Sequence, residues 1–178
     1  MTIAQFPPAS DPSVVGSGLT RSQIEAYAER LAEYHQIFAN GSSADLKGLL
    51  KTLGGQLEIG DTEESLIVRN KGDFTIYLPA LTSWRRDRFT IAHELGHYFL
   101  HYRFFKVDEQ EMPKRRYKRY GRSTAETEAN YFAAAMLMPQ SRFFATYEES
   151  HGDLYQVADA FEVSSAAAGV RAQSLHLA

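Results

Sequence analysis

Two histidines four residues apart constrain this chain more than any other feature. They stand in the run Arg88-Phe-Thr-Ile-Ala-His93-Glu94-Leu-Gly-His97-Tyr-Phe-Leu-His101. On an α-helix, residues at i and i+4 lie one above the other on the same face. His93 and His97 can therefore aim ring nitrogens at one point, where zinc would be held at roughly 2.0–2.1 Å. Glu94 sits beside the pair, able to take a proton from a water bound there. The helix itself is legible. Phe89, Ile91, Ala92, Leu95, Phe99 and Leu100 form an apolar stripe at helical spacing, and Ser83 is a candidate N-cap. The plainer alternative is a core helix whose histidines merely satisfy hydrogen bonds. The stripe leaves both histidines on a side of their own, which favours a metal.

Composition narrows the chemistry. With 178 residues the chain can bury a core, and one compact unit is expected. A formal charge of -3 gives no overall pull toward nucleic acid or membrane. The chain has no cysteine, so disulfides and thiolate metal sites are excluded, and a zinc ion would need nitrogen and oxygen ligands. No apolar run has the length of a membrane span, and no basic segment followed by an apolar stretch opens the chain. A cytoplasmic protein is the expectation.

Residues 1–19, with Pro7-Pro8 and scattered Ser, Gly and Asp, read as a flexible tail; 20–150 read as the main domain and 151–178 as a C-terminal helical segment. Thr20 caps a periodic helix with Ile24, Tyr27, Ala28, Leu31, Tyr34 and Phe38 on its apolar stripe, ended by Asn40-Gly41. A second helix is expected over 43–53. Three β segments follow at 56–59, 65–69 and 74–78, with Asn70-Lys71-Gly72-Asp73 as a hairpin turn. The third is either an edge strand that could add an extended peptide or an ordinary internal strand. After the motif helix comes a long connection over 102–123, of the kind that is functional or mobile in compact domains. Helices are expected at 124–138, ended by Pro139, and at 140–149, 153–162 and 164–175. The fold class is α+β: a small three-stranded sheet packed on helices that include the motif helix.

Two histidines leave a catalytic zinc site one protein ligand short. His101 lies eight residues past His93, about 12 Å along a helix axis, too far for one ion to join both. It is either an outer hydrogen-bonding group or a buried polar residue. The acidic pair in Ala125-Glu126-Thr-Glu128-Ala-Asn130 opens another helix, whose Ala133-Ala134-Ala135 run, like Gly96 on the motif helix, would permit close helix approach. Glu126 and Glu128 point about 200° apart, so only one can face the metal, and spacing does not say which.

The motif run, followed by Glu126-x-Glu-Ala-Asn-x-Phe-Ala-Ala-x-x-Leu-Met-Pro139, closely resembles the ImmA/IrrE family of zinc metallopeptidases. The resemblance implies a zincin-like core, one zinc ion on His93, His97 and Glu126, and Glu94 as the catalytic acid/base. Asn130, one turn after Glu126, would lie on the ligand side and orient it. The implied activity is zinc-dependent cleavage of a peptide bond in a protein. The implied substrate is a transcriptional regulator, a DNA-binding repressor or an antitoxin-like protein, in stress-response or toxin–antitoxin settings. Tyr98, His101, Tyr120 and Tyr131 are candidates for steadying the oxyanion, with nothing in the sequence to choose among them.

Two weaker signals bear on the alternative, a nucleic-acid-binding regulator with a structural zinc site. Lys114-Arg-Arg-Tyr-Lys-Arg-Tyr-Gly-Arg122 interleaves basic and aromatic residues, as phosphate and base contacts require, or is a solvated loop over the active site. The C-terminal segment has a helix-turn-helix flavour, with Phe161-Glu-Val163-Ser164 as its turn. Its second helix offers mostly Ala and Gly, with only Arg171 and Gln173 as polar reach, which favours packing on the core over reading DNA. An intact Glu94 also speaks for the enzyme, since a structural site needs no general base.

Overall fold

Helix α1 (Arg21–Tyr34) starts at a capping box in which the Thr20 hydroxyl accepts from the Gln23 amide and the Gln23 side chain accepts from the Thr20 amide. It buries Ile24, Ala28 and Ala32 and stops well before Asn40-Gly41. Tyr34 is 82% exposed, Gln36 turns to φ +52°, and Ile37 and Phe38 fold back into the core. Helix α2 (Leu46–Leu53) begins at Asp45, whose carboxylate accepts the Gly48 amide, and ends at Gly54. The computed structural model describes residues 14–104, 114–119 and 123–177. Of the expected tail over 1–19, residues 1–13 lie outside the described residues, as do much of the connection between the two motifs and Tyr120.

Strands β1 (Gly55–Ile59), β2 (Glu64–Asn70), β3 (Asp73–Leu78) and β4 (Arg115–Lys118) form one mixed sheet in the order β1-β3-β2-β4. β1 runs parallel to β3, and the other two pairings are antiparallel. The expected hairpin joins β2 to β3. One expectation changes and one open alternative is resolved. The sheet has four strands, because the basic run contributes β4. The strand over 74–78 is internal, hydrogen-bonded to β1 on one side and β2 on the other, so it offers no edge to a peptide. Leu66, Val68, Phe74, Ile76 and Tyr117 are buried, and Leu66 pairs with both Ile76 and Tyr117 in register.

Helix α3 (Trp84–Gly96) starts at Ser83, whose hydroxyl accepts the Arg86 amide, and runs into a π-helical segment (His97–Arg103). Helix α4 (Thr124–Leu137) packs against both α1 and α3. A Cβ on Gly96 would lie 3.0 Å from the Ala129 Cα and 3.2 Å from its carbonyl oxygen, so α3 and α4 touch almost backbone to backbone. The contact falls one turn before the alanine run. Phe99 stacks on Phe132 just beyond it, with ring centroids 5.8 Å apart.

Helices α5 (Gln140–Glu149), α6 (Leu154–Phe161) and α7 (Ser165–Ser174) complete the chain. Glu162 supplies a left-handed turn after α6, and Ser164 caps α7. Arg171 is buried, donating to the Met138 carbonyl at 3.0 Å and to the carboxylates of Glu25 at 2.7 Å and Glu29 at 3.4 Å. Arg85 and Arg88 of α3 pair with Asp159 and Glu162. Among the described residues no helix is long and apolar enough to cross a membrane.

Candidate metal centre

α3 and α4 bring His93, His97 and Glu126 to one point. His93 Nε2 lies 3.2 Å from His97 Nε2 and 3.2 Å from Glu126 Oε2, and His97 Nε2 lies 3.2 Å from Glu126 Oε1. Ligands about 2.0–2.1 Å from a tetrahedral ion stand about 3.3–3.4 Å apart, so the triangle has the right edge. Two imidazole nitrogens and a carboxylate converging in this way suit a divalent cation of borderline character. Among the described residues these three form the His, Asp and Glu cluster that could hold one. Burial would raise the Glu126 carboxyl, but hydrogen bonds with His93 and His97 hold it far below the usual carboxylate range.

The outer ring nitrogens are also engaged. His93 Nδ1 lies 2.9 Å from Asn130 Oδ1. An amide oxygen only accepts, so His93 Nδ1 carries a proton, and Nε2 is the ring atom turned to the centre. Asn130 therefore orients His93, not Glu126 as its spacing suggested. His97 Nδ1 lies 3.0 Å from His101 Nδ1, and His101 Nε2 lies 2.9 Å from Glu128 Oε2. Burial pushes His101 down to about 4, against the opposing pull of Glu128. Both acids at the start of α4 are thus engaged, on different histidines. Glu126 accepts at the cluster and Glu128 behind it.

Glu94 is buried against the sheet. The β2–β4 register slips between Glu64 and Leu66, and Ser65 and Leu66 are both buried, where a regular strand would turn one of them outward. The bulge brings the Ser65 hydroxyl into hydrogen bonding with Glu94, and also 3.4 Å from the Tyr117 carbonyl. Glu94 Oε2 is buried with no partner. Burial pushes this carboxyl up to about 7, although the His93 charge and the Ser65 hydrogen bond pull it down. From β4, the Tyr117 ring lies over His97, 4.9 Å between centroids. Arg119 donates to the carbonyls of Thr62, Gly60 and Tyr77, leaves Nη1 buried and unpaired, and contributes a positive charge felt at Glu94.

Sequence reasoning missed Ser65, Tyr117 and Arg119. Half of the basic run, read as a solvated loop or a nucleic-acid patch, is a strand walling the site. Of the oxyanion candidates, Tyr98 takes the Gly72 amide at 3.1 Å, His101 lies beneath His97, and the Tyr131 ring is covered by the Arg21 guanidinium. Tyr131 and Asn130 also line a cavity of about 910 Å³ walled on another side by α7.

A family model described as the IrrE N-terminal-like domain, Peptidase M78, matches residues 61–173. The chain belongs to this family. The match takes in both motifs and the C-terminal helices, and peptidase chemistry is what IrrE-like membership supports. A solved structure of a Mycobacterium tuberculosis transcriptional regulator is similar over 83% of this chain, at 18% identity and a TM-score of 0.56. The chain spans 45% of that protein, and at this identity the two share a fold. No significant match is found among curated proteins.

Proposed function

We propose that the protein is a zinc-dependent endopeptidase that cleaves a protein substrate of the DNA-binding repressor or antitoxin type. The observation that carries this reading is the 3.2 Å triangle of His93, His97 and Glu126 with a buried, unpaired Glu94 oxygen beside it. Membership in the peptidase family supports the reaction class.

His93, His97 and Glu126 would hold the ion, whose contribution when bound is Lewis acidity toward water and a peptide carbonyl. Glu94 accepts the proton of the attacking water as the C–O bond forms. It then delivers that proton to the amide nitrogen as the C–N bond breaks, so the carboxylate is regenerated. A base whose burial raises it toward neutrality can do both. Ser65 fixes the orientation of the carboxylate, and Arg119 supplies a fixed positive charge near the developing negative one. β4, an edge strand of the sheet that lies beside His97, could pair with an extended substrate.

Elemental analysis of purified protein tests the ligand set. Near one equivalent of zinc is expected in the wild type and in Glu94→Gln, with loss in His93→Ala and Glu126→Ala. Co-expressed candidate repressors should be cut by the wild type and left intact by Glu94→Gln. Zinc retained in Glu126→Ala would move the third ligand elsewhere. A wild type that takes up no zinc on reconstitution would sink the reading.

A further inference from the structure

We propose that the groove bounded by the first half of α3, the second half of α4 and α7 docks the protein substrate beside its scissile bond, and that it takes a segment carrying both apolar and acidic side chains. The proposal deepens the endopeptidase reading and rests on it.

The groove begins at the candidate metal centre. Asn130, whose Oδ1 meets His93, borders both. Phe89, one turn before His93 on α3, and Ala134, one turn beyond Asn130 on α4, carry the lining away from the triangle as far as Met138. From Asn130 to Met138 the helix advances about 12 Å. That length holds roughly three or four residues of extended chain at about 3.3 Å each, and the volume of about 910 Å³ leaves room for their side chains. A chain held at the triangle by its scissile carbonyl therefore has its neighbouring residues within reach of the groove.

α7 supplies the far wall. Ala168, Arg171 and Ala172 pack inward, while Ala166, Val170 and Gln173 line the groove. The small side chains let a visiting backbone come close, and Val170, 66% exposed, offers it apolar surface. An alanine-rich helix is poor at reading bases and well suited to this contact.

Charge gives the second feature of the partner. Among the described residues the lining holds Arg21, Arg85, Arg86 and Arg171 and no Asp or Glu, in a chain of net charge -3. Three of these arginines are engaged: Arg21 with Glu25, Arg85 with Asp159, and Arg171 with Glu25 and Glu29. Arg86 is exposed, and among the described residues its guanidinium has no partner. It is the cation left for a carboxylate of the visiting chain. An apolar floor with an arginine at its rim is how protein surfaces hold one another. A nucleic acid needs cations spaced along its phosphates, which this groove does not supply.

The probe is a synthetic peptide library randomised at every position. It is offered to the zinc-loaded wild type for cleavage and to Glu94→Gln for capture, with mass spectrometry reading both. The wild type should cut sequences that carry a bulky apolar residue and an Asp or Glu on the same side of the scissile bond, and Glu94→Gln should retain those same sequences. Ala134→Trp fills the groove and should lower their cutting and capture roughly 10–100-fold. Val170→Glu, at an exposed position, should act in the same direction, and it serves if Ala134→Trp fails to fold. Arg86→Ala should weaken the acid preference about two- to fivefold, and Arg86→Glu should replace it with a preference for Lys. Zinc content should stay unchanged in all four. Cleavage whose preferences the groove variants leave untouched overturns the docking proposal and leaves the peptidase reading standing. Capture that depends on Arg86 and Ala134, with no cleavage by the wild type, sustains the groove and overturns the peptidase reading. A library neither cut nor enriched overturns the groove. So does a fluorescein-labelled random DNA oligonucleotide that binds and is released by Arg86→Glu while peptides are ignored.

Discussion

Asn130 Oδ1 lies 2.9 Å from His93 Nδ1, one helical turn beyond Glu126 on α4. One helix therefore both supplies a prospective ligand and sets the ring of the histidine opposite. Asn130→Ala frees that ring to rotate and to place its proton on either nitrogen. Zinc affinity should drop by about 10–100-fold with little change in thermal stability, as read by chelator competition beside a melting curve. Unchanged affinity would show that the ring is fixed by packing.

Gly96 has no room for a side chain, because the Ala129 backbone lies where a Cβ would go. Gly96→Val should force α3 from α4 and destabilise the fold by about 2 kcal/mol. Chemical denaturation measures the loss. Because the same separation sets the distance from Glu126 to both histidines, metal affinity should fall along with stability. A stable variant with weakened zinc binding would separate the two effects and contradict this account.

Arg171, on a helix expected to pack on the core, is buried against Glu25, Glu29 and the Met138 carbonyl. Removing it leaves two carboxylates facing a void. Arg171→Ala should cost about 3 kcal/mol in urea unfolding. A loss below about 1 kcal/mol would mean that water replaces the guanidinium freely.

Glu25 gives this contact a pH signature. Burial would raise its carboxyl, but hydrogen bonds and charge from Arg21 and Arg171 outweigh burial and hold it below its ordinary value of 4.5. A carboxyl lowered in the folded state binds fewer protons there than in the unfolded chain. The stability it lends is therefore complete above about pH 4.5 and is lost as pH falls through the folded value. Melting temperatures recorded from neutral pH downward should decline more steeply in the wild type than in Glu25→Gln. Parallel curves would remove Glu25 from the acid response.

Much of this architecture is local, and what is local was legible. Ser83 caps α3 as its position before the apolar stripe predicts, the turn ending at Ser164 leads into α7, and α5 spans the expected 140–149. The α1 stripe misled because Ile37 and Phe38 continue its apolar rhythm, although the backbone reverses at Gln36 and returns them to the core by another route. β4 was illegible because Arg115-Arg-Tyr-Lys carries one apolar side chain and no alternation; pairing with β2, some fifty positions earlier, makes it a strand. Ser65 depends on a bulge, and the partner of Asn130 depends on how α4 crosses α3. Spacing could show that Glu126 and Glu128 face different ways, while only the crossing shows that both are used.

β4 also lies, in chain order, between the helix that carries the histidines and the helix that carries the glutamates. An untethered excursion over 104–123 would have to close as one long loop. Its pairing with β2 pins that excursion near the middle, so two short spans close instead, and the entropy of bringing α4 to α3 falls on the sheet as the chain folds. An ion arriving at His93, His97 and Glu126 would find its prospective ligands already gathered, and its affinity would not be diminished by the work of gathering them.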